Sequence, residues 1–304
     1  MNEPGRFRVD RRAVARAFGR ASARYDASAL LATEVRTELH SRLQYFPLDP
    51  RVIVDLGCGT AQGALLLRRR YRAARVLAID LAPGMLRAAR RRSWPWRRLD
   101  CLCADAHALP LASQSVDLVF SNLMLQWCDD PLQVFTELCR VLRPGGLLLF
   151  STLGSGTLQE LREAWAAADD APHVSAFADM PLLAAALQQA GLREPVMDRD
   201  LRVLHYPDAG ALMAGLRQVG AGNAAADRRR TLTGRGRLAR MNEHYEQRRT
   251  GAGLPASWEA IYGAAFAPAR GAGEFGGTAG HLAGEVRVAV ASIGRRATTG
   301  PAGD

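Results

Sequence analysis

The chain is expected to fold as a doubly wound α/β sheet, on three observations. From residue 50 onward short apolar runs alternate with helical stretches, the pattern of parallel strands joined by crossover helices. A glycine-rich stretch, DLGCGTAQG from Asp55 to Gly63, falls where the first apolar run gives way to a helix. A second apolar run ends on an acid, Asp80, about twenty residues further on, as in sheets that bind a nucleoside across their edge.

The elements follow in order. Residues 51–57 (RVIVDLG) read as a buried strand, 61–71 as a helix and 75–82 as a second strand. Pro83 opens the next helix, since a first turn tolerates proline. Residues 99–103, 116–122 and 146–152 read as three further strands, with a helix over 131–142 and RPGG at 143–146 as the turn before the fifth strand. Beyond this point helices are expected over 158–168, 180–190 and 208–219, with an extended stretch at 195–206 between them. Residues 221–253 are rich in Gly, Arg and polar types and suggest no regular element, while 258–266 reads as a final strand.

With 304 residues and 48% apolar content, the chain can bury the core of one large domain. Its five cysteines form no C-x-x-C pair and have no histidine at ligand spacing, so they read as buried thiols in a reducing compartment, with no metal expected. No apolar run reaches membrane-spanning length and no secretory leader is visible, so a cytoplasmic protein is expected. The Arg-rich stretch 6–24 could pass for a transit peptide, but Glu3, Asp10 and Asp26 argue against it. The net charge of +10 comes from arginine clusters at 68–70, 90–92 and 228–230. These read either as solvated faces or as a surface that steers an acidic partner.

The glycine loop discriminates between ligands. Counted from Gly57 and Gly59, the third glycine is Gly63, one place later than G-x-G-x-x-G requires, and Asp55 stands where a pyrophosphate would be repelled. S-adenosylmethionine has no phosphate and carries an ammonium and a sulfonium, so an acid beside the loop suits it. Asp80 is placed to accept both ribose hydroxyls, and Asp105 with Ala106, after the third strand, to receive the adenine amino group. Singly, Asp80 also reads as a helix cap and Asp105 as a loop acid.

VDLGCGT, AID, ADAHALPL, VDLVFSNL and LRPGG, in this order, resemble the motifs of Rossmann-like class I methyltransferases. The resemblance implies S-adenosylmethionine as cofactor, held by Asp55, Gly57, Gly59, Asp80, Leu81, Asp105, Ala106 and Asn122. The stretch after the fourth strand, SNLMLQWCDDP, lacks the N/D-P-P-Y/F signature of base-directed enzymes, which argues against a nucleic-acid acceptor. SNLMLQWC and the opening AFGRASARYD (17–26) are instead similar to the malonyl-acyl carrier protein O-methyltransferases of biotin synthesis. So are TLQELREAWAAADDAPHVSAF, DRDLRVLHY, LRQVGAGN, RRRTLTGRGR and LPASWEAIYGAAFAP further on.

That resemblance implies N-terminal lid helices over 1–48, a catalytic domain over 49–268 and a loose tail over 269–304. Within the domain, 50–152 would hold the donor and 153–268 the substrate and inserted lid helices. Tyr25, Asn122 and Gln126 would be catalytic, and Arg20, Arg24, Trp127 and His173 would hold the substrate. The implied partner is an acidic acyl carrier protein bearing malonyl-phosphopantetheine, with neither nucleic acid nor membrane. Plainer readings stand beside these roles: Arg20 and Arg24, four apart, as a solvated helix face, Trp127 as core and His173 as a loop residue. The later segments also resemble a sister family that hydroxylates an arginine during assembly of respiratory complex I, while FGRASARYD and SNLMLQWC lean toward the biotin enzyme. Another small-carboxylate O-methyltransferase is a further alternative, and a catalytically silent binding module is opposed by Asp55, Gly57, Gly59 and Asp80.

Overall fold

The apolar runs pair into a seven-stranded sheet of order β3-β2-β1-β4-β5-β7-β6. Its strands are β1 (Val52–Leu56), β2 (Arg75–Asp80), β3 (Asp100–Cys103), β4 (Val116–Asn122), β5 (Leu142–Leu153), β6 (Arg193–Tyr206) and β7 (Leu254–Phe266). The computed structural model describes residues 9–92, 98–229, 231 and 233–269, so residues 270–304 of the expected tail and Arg230 of its arginine cluster lie outside the described residues. The first five strands run parallel, and β7 inserts antiparallel between β5 and β6. Central strands buried on both faces need continuous apolar runs, and β1, β4 and β5 supply them.

Three helices precede the sheet: α1 (Arg11–Ala21), α2 (Tyr25–Ser28) and α3 (Leu30–Ser41). The crossovers are α4 (Gln62–Arg70), α5 (Pro83–Arg92) and α6 (Pro131–Val141). The second half adds α7 (Gln159–Ala166), α8 (Met180–Gln189), α9 (Ala209–Gln218) and α10 (Arg235–Glu246). Aspartates start several of them: Asp10, Asp130, Asp179 and Asp208 each accept a first-turn N–H, satisfying a donor the helix leaves open. One face of the sheet packs Val35, Leu39, Leu67 and Ala89, and the other Val134, Phe135, Leu138 and Leu187. A third cluster of Leu161, Trp165, Leu212, Met241, Tyr245 and Trp258 holds the second-half helices to β7.

Three local expectations are corrected. RPGG is not a separate turn: Val116 pairs with Leu142 and Leu118 with Leu147, so the segment bulges out within β5. Residues 221–253 contain α10, whose buried stripe is Met241 and Tyr245, too sparse to stand out among its polar neighbours. Cys103 is exposed and Cys101 half-buried because β3 is an edge strand, and Cys139 is half-buried on α6; only Cys58 and Cys128 are buried thiols.

Helix α1 matters most for the site. It is seated between two backbones at distances that leave no room for side chains. A Cβ on Gly84, in the first turn of α5, would stand 2.6 Å from Gly19 Cα, and one on Gly220 would stand 3.1 Å from Phe18 Cα. Asp10 fastens the start of α1 to the 224–228 segment, donating its N–H to Ala224 O at 2.8 Å and pairing with Arg228 at 3.1 Å. After α1, Asp26 pairs with Arg92 of α5 and accepts from Thr60 Oγ1 in the glycine loop at 2.6 Å.

The seating is testable. Gly84→Ala is expected to cost about 1–3 kcal/mol of stability through overpacking, and to weaken S-adenosylmethionine binding because α1 shifts. Denaturant unfolding and donor titration check both, and a variant equal to wild type in each would show that α1 moves freely.

Candidate active site

The sheet reverses its winding between β1 and β4, and the loops at their carboxyl ends open a crevice there, as in other doubly wound sheets. Gly57 takes φ +71°, and a Cβ on it would lie 2.3 Å from Met124 Cγ, so both conformation and contact require glycine. Gly57 and Cys58 donate their N–H groups to Ile79 O at 2.8 and 2.9 Å, binding the loop to β2. Asp80, at the end of β2, accepts from Gly59 N at 2.8 Å and from Ala82 N at 2.7 Å. Burial raises its pKa against the two N–H groups that lower it.

Above this loop lies a cleft of about 730 Å³. It brings together Gly57, Gly59, Asp80, Leu81, Asp105, Ala106 and Asn122 of the expected cofactor residues, and adds Tyr25 and Trp127. Asp55 is not among the lining. Its carboxylate lies beneath the loop, 2% exposed, where a Cβ on Gly63 would stand 2.9 Å from Oδ2. The place of the third glycine thus follows from the space Asp55 needs. Burial pushes the Asp55 pKa up to about 7, against the Ala64 N–H and the charge of Arg36. Asp55 Oδ2 and Arg36 Nε are both buried without a hydrogen-bond partner. Arg36, on α3, also feels Tyr25 and Asp26. Its role depends on α3 packing over the loop, and nothing in its local sequence marked it.

The far end of the cleft is closed by a group the sequence reading missed. Asp105 accepts His107 Nδ1 at 2.6 Å and Arg11 Nη1 at 2.7 Å. The other ring nitrogen of His107 lies 2.9 Å from Asp129 Oδ1, outside hydrogen-bond alignment. Burial raises the Asp105 pKa, but the His107 N–H, its ring and Arg11 outweigh that and lower it overall. Ala106 adds its backbone beside this cluster, where an adenine is expected.

The remaining candidates separate by compartment. Asn122 donates to Ala32 O at 3.1 Å and accepts from Ser151 Oγ at 2.9 Å, tying α3 and β5 to the end of β4. Gln126 donates to Leu123 O at 2.7 Å and accepts from Thr152 Oγ1 at 3.2 Å; it braces the turn after β4 and does not line the cleft. Trp127 meets Phe18 edge-on at 5.2 Å and lines both the cleft and a second pocket of about 870 Å³. His173 lines that second pocket, stacked on Trp165 with centroids 3.7 Å apart and bonded to Asp169 at 2.7 Å. Arg20 and Arg24 line neither; they lie on a groove on the other side of α1.

The cleft suits a zwitterionic nucleoside. A glycine cradle fixed by Asp80, a buried acid beneath it and an acid at the far end match the charges of S-adenosylmethionine. A family model described as a methyltransferase domain matches residues 54–150. The YcgJ protein of Bacillus subtilis shares the fold, with TM-score 0.55 at 15% identity over 76% of this chain and 97% of that one. The protein is a class I S-adenosylmethionine-dependent methyltransferase.

Its relatives narrow the class. A malonyl-[acyl-carrier protein] O-methyltransferase from Gallionella capsiferriformans is 44% identical over 88% of this chain and 94% of its own. The biotin biosynthesis bifunctional protein BioHC of Cellvibrio japonicus is 41% identical over 84% of this chain and 50% of its own length. This chain belongs to the malonyl-[acyl-carrier protein] O-methyltransferase family, as AFGRASARYD and SNLMLQWC had implied.

Two outcomes are expected at the loop. Asp80→Ala should weaken donor binding by about 1–3 kcal/mol, the size of lost hydrogen bonds to a charged group; calorimetric titration checks it, and unchanged affinity would leave Asp80 a loop brace alone. The raised pKa of Asp55 gives the second. Its neutral form is favoured in the fold, so the associated stability is full below about pH 3.9, the unfolded value, and is lost as pH rises through about 7. Asp55→Asn, neutral throughout, should therefore gain stability relative to wild type as pH climbs across that window. Melting curves that keep a constant offset would show that Asp55 does not titrate there.

Proposed function

We propose that this protein methylates the free carboxylate of malonyl-acyl carrier protein with S-adenosylmethionine, giving the malonyl methyl ester that primes pimeloyl synthesis for biotin. The observation that supports it most is Trp127, shared by the donor cleft and a largely apolar pocket, in a chain related over most of its length to enzymes named for that reaction.

When bound, the donor supplies an electrophilic methyl group on a sulfonium. A carboxylate of pKa about 3–4 is already ionised at neutral pH, so no residue need act as a base. The chain's part is to place one carboxylate oxygen behind the methyl carbon and keep water out. Leu158, Trp165, Phe177, Met213 and Trp258 make the acceptor pocket dry, while His173 and Asn223 give it polar points. Tyr25 reaches the cleft from α2, and burial, then the charge of Asp80, pushes its phenol up to about 12. It therefore stays a hydrogen-bond donor at working pH. Asn122 holds the wall between donor and acceptor through Ala32 and Ser151.

The partner reading adds charge. With a net charge of +10, the protein attracts an acidic carrier over a distance, and salt weakens such attraction. Neither a nucleic acid nor a membrane is needed as partner; among the described residues no helix is long and apolar enough to cross a membrane. A cytoplasmic site of action suits a substrate drawn from fatty-acid synthesis. Methylation removes the charge that would keep the acyl end out of an apolar elongation pocket.

Purified protein with S-adenosylmethionine and malonyl-carrier protein should yield the methyl ester on the carrier, read by intact-protein mass spectrometry. No transfer to that carrier, alongside turnover of another carboxylate, would overturn the reading. Within it, Tyr25→Phe and Trp127→Ala are expected to lower turnover about ten-fold or more while changing donor affinity less, since they act on acceptor placement. Equal losses in both would move these residues to the donor site.

A further inference from the structure

On the side of α1 away from the donor cleft runs a groove lined by Arg20, Arg24, Arg217 and Arg228, and no acidic residue lines it. Arg228 is taken up by Asp10 at 3.1 Å. Arg20, Arg24 and Arg217 are exposed, and among the described residues none of the three has a carboxylate partner. Arg11, Arg42, Arg75, Arg92, Arg143, Arg202, Arg248 and Arg249 are each paired with an acid, whereas this groove gathers three that are not into one cavity. Guanidinium groups gathered without counter-charge repel one another and suit an anion, above all a phosphate, which each can meet with two N–H groups.

The groove connects inward. Arg217, Gly222 and Asn223 line both it and the apolar pocket, and Trp127 lines both that pocket and the donor cleft. Three compartments thus stand in series: cationic at the surface, apolar in the middle, and methyl donor at the end. The molecule that matches them in order has a phosphate at one end, an uncharged arm, and a carboxylate at the other.

We infer that the Arg20, Arg24 and Arg217 groove is a binding site for the phosphate of the phosphopantetheine arm. The inference rests on the acceptor reading above and deepens it. The pantetheine arm crosses the apolar pocket, and the malonyl carboxylate arrives at Trp127. Arg20 and Arg24 then anchor the arm at its root rather than neutralising the carboxylate. That placement leaves the reacting oxygen unpaired with a cation and so more nucleophilic.

The test compares two small acceptors, malonyl-phosphopantetheine and malonyl-pantetheine, which differ only in the phosphate, with malonyl-carrier protein as reference. For wild type, kcat/KM should favour the phosphorylated arm by about ten- to one-hundred-fold. In Arg217→Ala and in Arg20→Ala the ratio should fall toward one, with Arg217→Lys restoring part of it. A variant that simply folds less well loses both acceptors in proportion and keeps the wild-type ratio, so folding is separated from recognition. A wild type that turns over the carrier protein but does not discriminate between the arms, or a ratio that survives both alanine variants, would overturn the phosphate site. Failure on all three acceptors would instead overturn the malonyl-acceptor reading on which it rests.

Discussion

The site depends on the seating of α1. Two backbone approaches hold it, at Gly84 on α5 and at Gly220 after α9, and neither leaves room for a Cβ without displacement. A helix held by its own backbone is fixed in rotation as well as position. Its faces are therefore assigned: Arg11, Val14 and Phe18, at helical spacing, line the donor cleft, while Ala17, Arg20 and Ala21 line the basic groove. Small residues on the outer face keep the groove open, and Phe18 on the inner face reaches Trp127. One helix thus acts as a partition, with the donor cleft on one side and the basic groove on the other.

Charge is sorted across that partition. Acids lie beneath and at the end of the donor cleft, in Asp55, Asp80 and Asp105, and arginines without carboxylate partners line the groove beyond α1. The reacting pair is itself a cation and an anion, and transfer neutralises both. A site that clamped the acceptor carboxylate with a full positive charge would lower its nucleophilicity and set a like charge beside the sulfonium of the donor. Neutral donors near the methyl group and cations far from it avoid that conflict. The raised pKa of Tyr25 belongs to the same arrangement, because a phenolate beside Asp80 would add a buried negative charge with no partner.

The sequence made the parallel half of the sheet legible because its signals are local. Apolar runs, the glycine loop and Asp80 each announce themselves within a few residues, and the cleft gathers most of the residues they named. What stayed hidden is what depends on long-range packing. Asp55 reads as a ligand-facing acid but lies under the loop, since only the fold shows that Gly63 makes room for it. Gln126 sits next to Trp127 in the motif, yet its amide is used on Leu123 and Thr152. Arg36, and the Arg11, His107 and Asp129 cluster, join residues brought together only when α1 and α3 close over the sheet. The RPGG bulge and α10 were missed for other reasons: glycine and proline usually punctuate chains but here lie within β5, and the apolar stripe of α10 is only Met241 and Tyr245.

The serial arrangement also bears on turnover. Before and after transfer the carrier's arm has the same phosphate and the same uncharged middle, so neither the groove nor the apolar pocket can tell substrate from product. Discrimination must come from the end near Trp127, where the carboxylate has become an ester. An ester is a weaker hydrogen-bond acceptor than the carboxylate it replaces, so donors at that end would hold the product less firmly. The donor loses its sulfonium charge in the same step, weakening its attraction to the acids that line the cleft, Asp80 and Asp105. Both products would therefore be held less firmly than the reactants, and an arm anchored at the proposed phosphate groove, by exposed and salt-screened arginines, would leave without any buried charge being uncovered.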